Sequence, residues 1–433
     1  MFKFFPEILP EINFGEILSA INYVVFAILA ILYFHHNLFL ILALFFKKKK
    51  YPEAKENHFY AFIVSARNEE KVIGNLLDSI KSQDYPQDKY KIYVIADNCS
   101  DSTAIVAKEH GAVVIERNDT THIGKSYALD KVLKYAISDD ERIEGFIVFD
   151  ADNIIDKNFT KEMNKAFDAG NQIATSFRNS KNYGSTWVAS GAGLTFFREC
   201  RVMHRMRSRL HMTTYVSGTG FLVSKKVIEE NGGWVNHLLI EDVEFSIDEF
   251  LKGYSVAYVD DAIMYDEHPK NFKDSFRQRL RWCRGNHQCF KKFNFKLFKN
   301  GFKHPTYSNV DLYAHIFPVA IFSVGWLGFA LPLSYGIYAI VQNISFAIYF
   351  EAAVRPLIDS LVFCFVYTFI VALIVTLMCW KDIKAKPSKK ILHIFTFSLY
   401  SLSYLMISFI AIFVRVQWKP IKHVDDIKIE DIE

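Results

Sequence analysis

The sequence predicts an open α/β sheet with a mostly parallel core, docked on about four transmembrane helices. Three observations carry that prediction. Apolar residues make up 51% of the 433, yet they gather in long charge-free runs. Between the first and second runs lies a stretch of ordinary soluble composition, roughly residues 51–305, long enough to bury a core of its own. Within that stretch, short apolar strands alternate with amphipathic helices, the pattern of a sheet built from crossover units.

The apolar runs are Ile17 to Phe46, Leu312 to Phe350, Leu361 to Trp380 and Ile391 to Val414, and none contains Asp, Glu, Lys or Arg. Each meets the roughly 20 residues needed to cross a hydrocarbon core. The first is too long for a cleaved signal and is followed by Lys47 to Lys50 rather than small residues, so residues 1–50 read as an anchor. Those lysines place residues 51–305 in the cytoplasm. Residues 306–433 read as a C-terminal membrane region and tail, with Leu312 to Phe350 as one tilted span or two short ones. Two signals there conflict. The loop Lys381 to Lys390 carries five lysines and puts the tail outside if Ile391 to Val414 crosses, whereas Arg415, Lys419 and Lys422 prefer the inside. The loop is weighted slightly above the tail. A net charge of +4 suits a protein facing anionic lipid and implies no nucleic-acid partner. The six cysteines match no zinc or redox spacing, so a reducing compartment is expected.

His58 to Ala66 reads as the first strand, and a helix follows with Val72, Ile73, Leu76, Leu77 and Ile80 on one face. Lys91 to Ala96, Ala112 to Ile115 and Gly145 to Phe149 are further strands, and Ala128, Leu129, Val132, Leu133 and Ala136 mark a helix before the last. Acidic turns at Asp97 and at Asp150 to Asp152 close two strands. In open α/β sheets that is where ligands bind.

Three constellations carry chemistry. Asp150 and Asp152 offer oxygen ligands to a divalent cation, Mg²⁺ or Mn²⁺, which would share a diphosphate; a capped turn would carry the same pair. Asp97 would hold the base or ribose of a nucleotide in the same crevice. Glu241-Asp242 follows an apolar run and supplies a carboxylate general base, unless it merely opens a helix. Gln278, Arg281 and Trp282 share a helix face: an amide, a cation and an aromatic plate for a sugar. A membrane-surface helix would look similar, with Arg277, Arg279 and Arg284 close by. Gly218-Thr219-Gly220 is a tight turn that can approach an acceptor. Lys125 opens a helix after Gly124 and suits phosphate. Arg198, Arg201, Arg205 and Arg209 read as a lipid-facing stripe, and His35 and His36 as headgroup contacts.

In order, these motifs resemble the family-2 glycosyltransferases, specifically the membrane-integrated processive synthases of cellulose, chitin, hyaluronan and poly-N-acetylglucosamine. The likeness covers about Phe59 to Gly285 and includes Ser65-Ala66-Arg67-Asn68-Glu69-Glu70. It implies a glycosyltransferase A-type domain that moves a sugar, with inversion, from a UDP-sugar to a growing β-linked polysaccharide. Ala66, Glu69 and Asp97 would contact uridine, and Asp150 and Asp152 would serve diphosphate and metal, Asp152 as the direct ligand. Gly218, Thr219 and Gly220 would lie near the acceptor, Asp242 would be the base, and Gln278, Arg281 and Trp282 would hold the diphosphate and acceptor end. The family usually has Thr before the Glu-Asp pair; here Ile240 stands there. The implied partners are the nucleotide sugar, a glycan or lipid-linked acceptor, membrane lipids and an accessory export subunit, because the membrane part is small for a secretion channel. The competing reading is non-processive transfer of one sugar to a lipid carrier. A scaffold that has lost its chemistry would not be expected to keep Asp152 and Asp242.

Overall fold

The structure, a computed structural model, describes residues 14–317, 333, 335–416, 427 and 430. Its centre is one eight-stranded sheet in the order β3-β2-β1-β4-β7-β6-β8-β5. The strands are β1 (Tyr60–Ala66), β2 (Tyr90–Asp97), β3 (Val113–Arg117), β4 (Gly145–Asp150), β5 (Ile154–Ile155), β6 (Ile173–Ser180), β7 (Phe221–Ser224) and β8 (Val256–Asp266). The half read from the sequence, β3-β2-β1-β4, is parallel throughout. The other half corrects the expectation of a mostly parallel sheet. There β7 runs antiparallel to both β4 and β6, β8 is parallel to β6, and β5 is antiparallel to β8. The sheet is mixed.

Helices cover both faces, which explains why the central strands are apolar on both sides. The helices are α1 (Phe14–Leu42), α2 (Ile73–Lys81), α3 (Thr103–Glu109), α4 (Lys125–Asp139), α5 (Phe159–Asp168) and α6 (Trp187–Arg198). Then follow α7 (Arg205–Arg209), α8 (Lys225–Glu230), α9 (Glu241–Leu251), α10 (Phe272–Lys303) and α11 (Tyr307–Ile316). The last three are α12 (Phe346–Tyr349), α13 (Arg355–Met378) and α14 (Pro387–Phe413). Along β1, Tyr60, Phe62 and Val64 pack with Leu76 and Leu77 of α2 and Met163 of α5. Ala61 and Ile63 enter the opposite layer with Leu129, Val132 and Leu133 of α4. Each buried Leu, Ile, Val, Phe or Met side chain among these stabilises by about 1.5–3 kcal/mol.

Two of the four expected spans meet the length and composition of a membrane helix among the described residues: Leu357–Met378 of α13, and α14. The first apolar run forms the long helix α1, and residues 318–332 of the second lie outside the described residues.

Two readings of polar residues are corrected by their partners. Arg201 pairs with Asp260 and, at 3.1 Å, with Asp382, and its guanidinium lies 3.5 Å over the Phe177 ring. Arg205 donates to Asp260 at 2.6 Å. Arg201 thus binds the sheet to the segment after α13, and Arg205 binds α7 to the sheet, rather than facing lipid. His35 and His36 bond Oδ1 of Asp311 at 2.9 and 3.4 Å, and Arg207 donates to the same carboxylate at 2.7 Å. Internal hydrogen bonding, not headgroup contact, accounts for them; with the Arg207–Asp311 ion pair it ties α1 to α7 and α11.

Candidate active site

The carboxyl ends of β1, β2 and β4 open into a cleft of about 490 Å³. Glu69, Asp97, Lys125, Asp150, Asp152, Gly218, Glu241, Asp242, Gln278, Arg281 and Trp282 all line it. Ala66, Thr219 and Gly220 do not. Ala66 ends β1 and is buried between the lining residues Ser65 and Arg67. Thr219 bonds inward, its hydroxyl accepting from Asp150 N at 2.9 Å and donating to Asn153 Oδ1. Gly220, at φ 63°, is packed so closely that a Cβ would stand 2.2 Å from Met264 Sδ. The turn therefore presents Gly218 to the cleft, and the next two residues hold it there.

Asp97 is held at the end of β2 by Arg117, whose Nη1 donates to Oδ1 at 2.5 Å. Asn98 Nδ2 donates to the same oxygen at 3.0 Å. At the end of β4, beyond β1, Lys125 at the start of α4 donates to Asp150 Oδ1 at 2.5 Å and to Gly218 O at 2.6 Å. Burial opposes the Lys125 ammonium, but Asp150, Glu241 and Asp242 outweigh it and raise its pKa.

Glu241 and Asp242 open α9. Asp242 Oδ1 accepts from Val243 N at 2.9 Å, and its Oδ2 would lie 3.3 Å from a Cβ on Gly218. Loss of solvent raises the pKa of both carboxyls. Their mutual repulsion adds to the rise at Glu241, which reaches about 7, while Lys125 and Arg281 pull the other way. A carboxyl pair that keeps a proton near neutrality can act as an acid–base group there. Ile240, where a threonine was expected, packs against α10: a Cβ on Gly285 would meet Ile240 Cγ2 at 2.6 Å. Its apolar character serves that contact.

On α10, Arg281 donates to Leu239 O at 2.7 Å, which fixes its guanidinium beside the acidic pair. Trp282 stands edge-on to Phe196, ring centres 6.0 Å apart. The other basic residues separate. Arg277 lines the cleft, whereas Arg279 turns away to Tyr400 O and Ser403 Oγ, and Arg284 to Ala411 O and Ile412 O.

Several lining residues escaped the sequence reading. Arg178, at the end of β6, donates through Nε and Nη2 to Asp266 Oδ2 at 3.0 and 2.6 Å, and its guanidinium lies 3.9 Å over the Phe196 ring. Asp266 closes an apolar strand as Asp150 does, a signal available in Ala262-Ile263-Met264-Tyr265. Glu199 sits on the widened turn between α6 and α7, a feature frequent at functional sites. Burial would raise its pKa, but His204 and Ser217 hold it at about 2.

Asp150 and Asp152, with Asp266 and Glu267 in the same cleft, offer oxygen donors only. That set fits a hard cation such as Mg²⁺ or Mn²⁺. Two further clusters of ligand type occur among the described residues, His35-His36-Asp311 and Glu56-His58-Asp168. Arg207 on Asp311 disfavours a cation in the first, and His58 is engaged by Glu144 and Asp168 in the second.

Comparison with known proteins agrees with this architecture. The sequence profile described as glycosyltransferase like family 2 matches residues 57–285. The probable glycosyltransferase YdaM of Bacillus subtilis is 26% identical over 390 residues, 85% of each chain. A beta-monoglucosyldiacylglycerol synthase of Synechocystis is 26% identical over 53% of this chain and 48% of its own. A poly-beta-1,6-N-acetyl-D-glucosamine synthase of Staphylococcus epidermidis is 24% identical over 53% of this chain and 54% of its own. The chain thus spans about half the length of these two synthases. Among solved structures, the mannosyltransferase PcManGT of Pyrobaculum calidifontis, in complex with GDP-Man and Mn²⁺, superposes with a TM-score of 0.61 at 16% identity. It covers 90% of this chain and 98% of its own, a likeness of fold.

Proposed function

Because the chain belongs to the glycosyltransferase like family 2 and is a glycosyltransferase, we propose that its cleft moves a sugar, with inversion, from a UDP-sugar to a growing β-linked polysaccharide at the membrane. The observation that carries this reading is the meeting of Asp97, Asp150 and Asp152, Glu241-Asp242, and Gln278, Arg281 and Trp282 in one cleft. Glu69 and Asp97 bind the nucleoside. Lys125 and Arg281 face the diphosphate with positive charge, and Arg277 adds to it. Asp150 and Asp152 would hold Mg²⁺ or Mn²⁺, which would supply positive charge to the diphosphate.

Asp242 takes the proton from the acceptor hydroxyl. That oxygen bonds to the anomeric carbon, the bond from carbon to the phosphate oxygen breaks, and the nucleoside diphosphate leaves with the electron pair. Arg281 stabilises the negative charge that gathers on the diphosphate. Trp282 offers its ring to the acceptor sugar, with Phe196 edge-on beneath it. Burial raises the proton affinity of the base, and the Val243 N–H, Arg281 and Lys125 hold it down. In this reading residues 51–305 are the catalytic domain on the cytoplasmic side, and residues 1–50 and 306–433 hold it to the membrane.

A second reading, transfer of one sugar to a membrane lipid, is favoured by the apolar residues Leu239, Tyr404 and Val416 in the same cleft. Product analysis separates the two. Purified full-length protein is incubated with a panel of radiolabelled nucleotide sugars and a bacterial lipid extract. A ladder of water-soluble chains supports the polymer reading, and a single organic-soluble product replaces it with the lipid reading. No transfer from any donor overturns both.

A further inference from the structure

Past Trp282 the cleft has a polar wall that the proposed chemistry leaves unused, made of Thr195, Glu199, Tyr215, Ser217 and His315. The helical run passes from Phe196, edge-on to Trp282, to Glu199 within one turn, which puts Glu199 on the Trp282 side. Ser217 leads into β7, on the far side of β1 and β4 from Asp97. Its Oγ donates to Glu199 Oε1, and His204 Nε2 stands 3.3 Å from the same oxygen. Both contacts fall on Oε1. Among the described residues Glu199 Oε2 has no hydrogen-bond partner, and the ring nitrogens of His315 have none either.

The charge of this wall is negative. Burial opposes ionisation of Glu199, yet His204 and Ser217 hold its pKa at about 2, so it stands as a carboxylate at neutral pH. Burial also lowers the pKa of His204, which leaves that imidazole neutral. The cations along the wall are already matched. Arg178 gives Nε and Nη2 to Asp266 and Nη1 to Ser217 O at 2.8 Å. Arg207, 5.0 Å from the centre of the Tyr215 ring, is paired with Asp311. Arg178 and Asp266 cancel, Arg207 and Asp311 cancel, and Glu199 remains. A carboxylate in this setting forms a strong hydrogen bond with a neutral hydroxyl, whereas a second negative charge beside it is repelled.

We propose that Glu199 Oε2 accepts a hydrogen bond from a hydroxyl on the terminal unit of the acceptor, and that this unit is a neutral polyol, a sugar or a glycerol, without phosphate or carboxylate. His315, its ring 4.2 Å from that of Tyr215, brings a second hydrogen-bonding group to the same unit. The inference rests on the glycosyl-transfer reading of the cleft and narrows both forms of it. For a polymer, the wall selects an uncharged sugar and refuses a uronic acid. For a lipid, it selects a neutral glycerolipid and refuses a carrier that presents phosphate as the group to be glycosylated. Glu199 is then an acceptor-binding residue, separate from the base at Asp242.

Four acceptors test it with the full-length protein in mixed micelles: a β-linked gluco-oligosaccharide, the same chain ending in glucuronic acid, dioleoylglycerol and a polyprenyl phosphate. Transfer is scored with each donor of the radiolabelled panel. Binding without donor is followed by tryptophan fluorescence, Trp282 lying in the same cleft. The neutral member of one pair should be preferred over its charged counterpart by about 100-fold in kcat/KM. The pair that responds tells sugar from glycerol. Equal or better use of a charged acceptor overturns the proposal, as does binding of none of the four. In Glu199→Gln the amide keeps the bond to Ser217 Oγ and loses the charge, so the preference should fall by about tenfold; an unchanged preference in the folded variant overturns the assignment to Glu199. If that variant does not fold, Glu199→Asp keeps the charge and should keep the preference, with a raised KM for the neutral acceptor; a lost preference or an unchanged KM there overturns the assignment. Binding of a neutral acceptor with no transfer from any donor removes the glycosyl-transfer reading and leaves the polyol site standing. Transfer to a charged acceptor does the reverse.

Discussion

Lys125 Nζ donates to Asp150 Oδ1 at 2.5 Å while also bonding Gly218 O at 2.6 Å, so one ammonium joins the end of β4 to the turn beside Asp242. The same charge lowers the proton affinity of Glu241 and Asp242, which burial raises. A base on this pair works only once ionised. The rate should therefore rise with pH along a limb displaced above the usual 4 of a carboxylate, because burial raises both carboxyls. Lys125→Met removes a positive charge that favours the ionised pair, so the limb should move to higher pH. A pH profile of kcat/KM for both proteins measures this, and a limb that stays put would separate Lys125 from the acidic pair.

Asp242→Asn should lower turnover by about 10²–10⁴-fold, the usual cost of losing a general base, and leave donor affinity near normal. The amide keeps the shape of the carboxylate beside Gly218 but accepts no proton. Single-turnover kinetics and donor titration give the two numbers separately. Near-normal turnover would remove Asp242 from the mechanism.

The parallel half of the sheet and its two acidic turns were legible because they are local. Each strand is a short apolar run, and Asp97 and Asp150 come immediately after one. Arg178 and Asp266 were not legible, since they meet only when β6 and β8 pair across 88 residues. Helical spacing put Arg201 and Arg205 on one face but could not say what stood opposite; Asp260 and Asp382 do. His35 and His36 were misread for the same reason, their partner Asp311 lying 276 and 275 residues away.

Gly220→Ala should destabilise the fold and leave the affinity of the remaining folded protein for donor unchanged. A Cβ there meets Met264 Sδ at 2.2 Å and Ser176 Oγ at 2.6 Å, and the backbone is at φ 63°. Overpacking costs about 1–3 kcal/mol, and the left-handed backbone about 1–2 kcal/mol more. Thermal unfolding against donor KM is the measurement. A normal Tm with a raised donor KM would make Gly220 a contact of the substrate instead.

Activity should need Mg²⁺ or Mn²⁺ and should fall sharply in Asp152→Asn. The motive is the pair of carboxylates at the end of β4, in the same cleft as Asp266 and Glu267. Excess chelator after dialysis should abolish transfer, and added Mn²⁺ should restore it in the parent but only weakly in Asp152→Asn. Direct Mn²⁺ binding followed by electron spin resonance supplies a readout other than activity. Full turnover in chelator would rule the metal out.

Trp282 decides between polymer and single transfer. Its ring lines the cleft, stands edge-on to Phe196 at 6.0 Å, and lies on the helix face that carries Gln278 and Arg281. In the proposed mechanism this ring holds the acceptor sugar rather than the nucleotide, and such aromatic contacts are worth about 0.5–1.5 kcal/mol beyond the area they bury. Losing it should weaken the hold on the growing end at every addition, so the effect compounds with chain length, while the donor remains bound by Glu69, Asp97 and the diphosphate groups. Trp282→Ala should therefore still release nucleotide slowly but make short chains or none. Product length on a sizing gel, beside nucleotide release from the same reaction, gives the comparison. If the parent adds one sugar to a lipid, the polymer reading fails; if Trp282→Ala makes chains of normal length at a normal rate, its ring only packs α10 against α6.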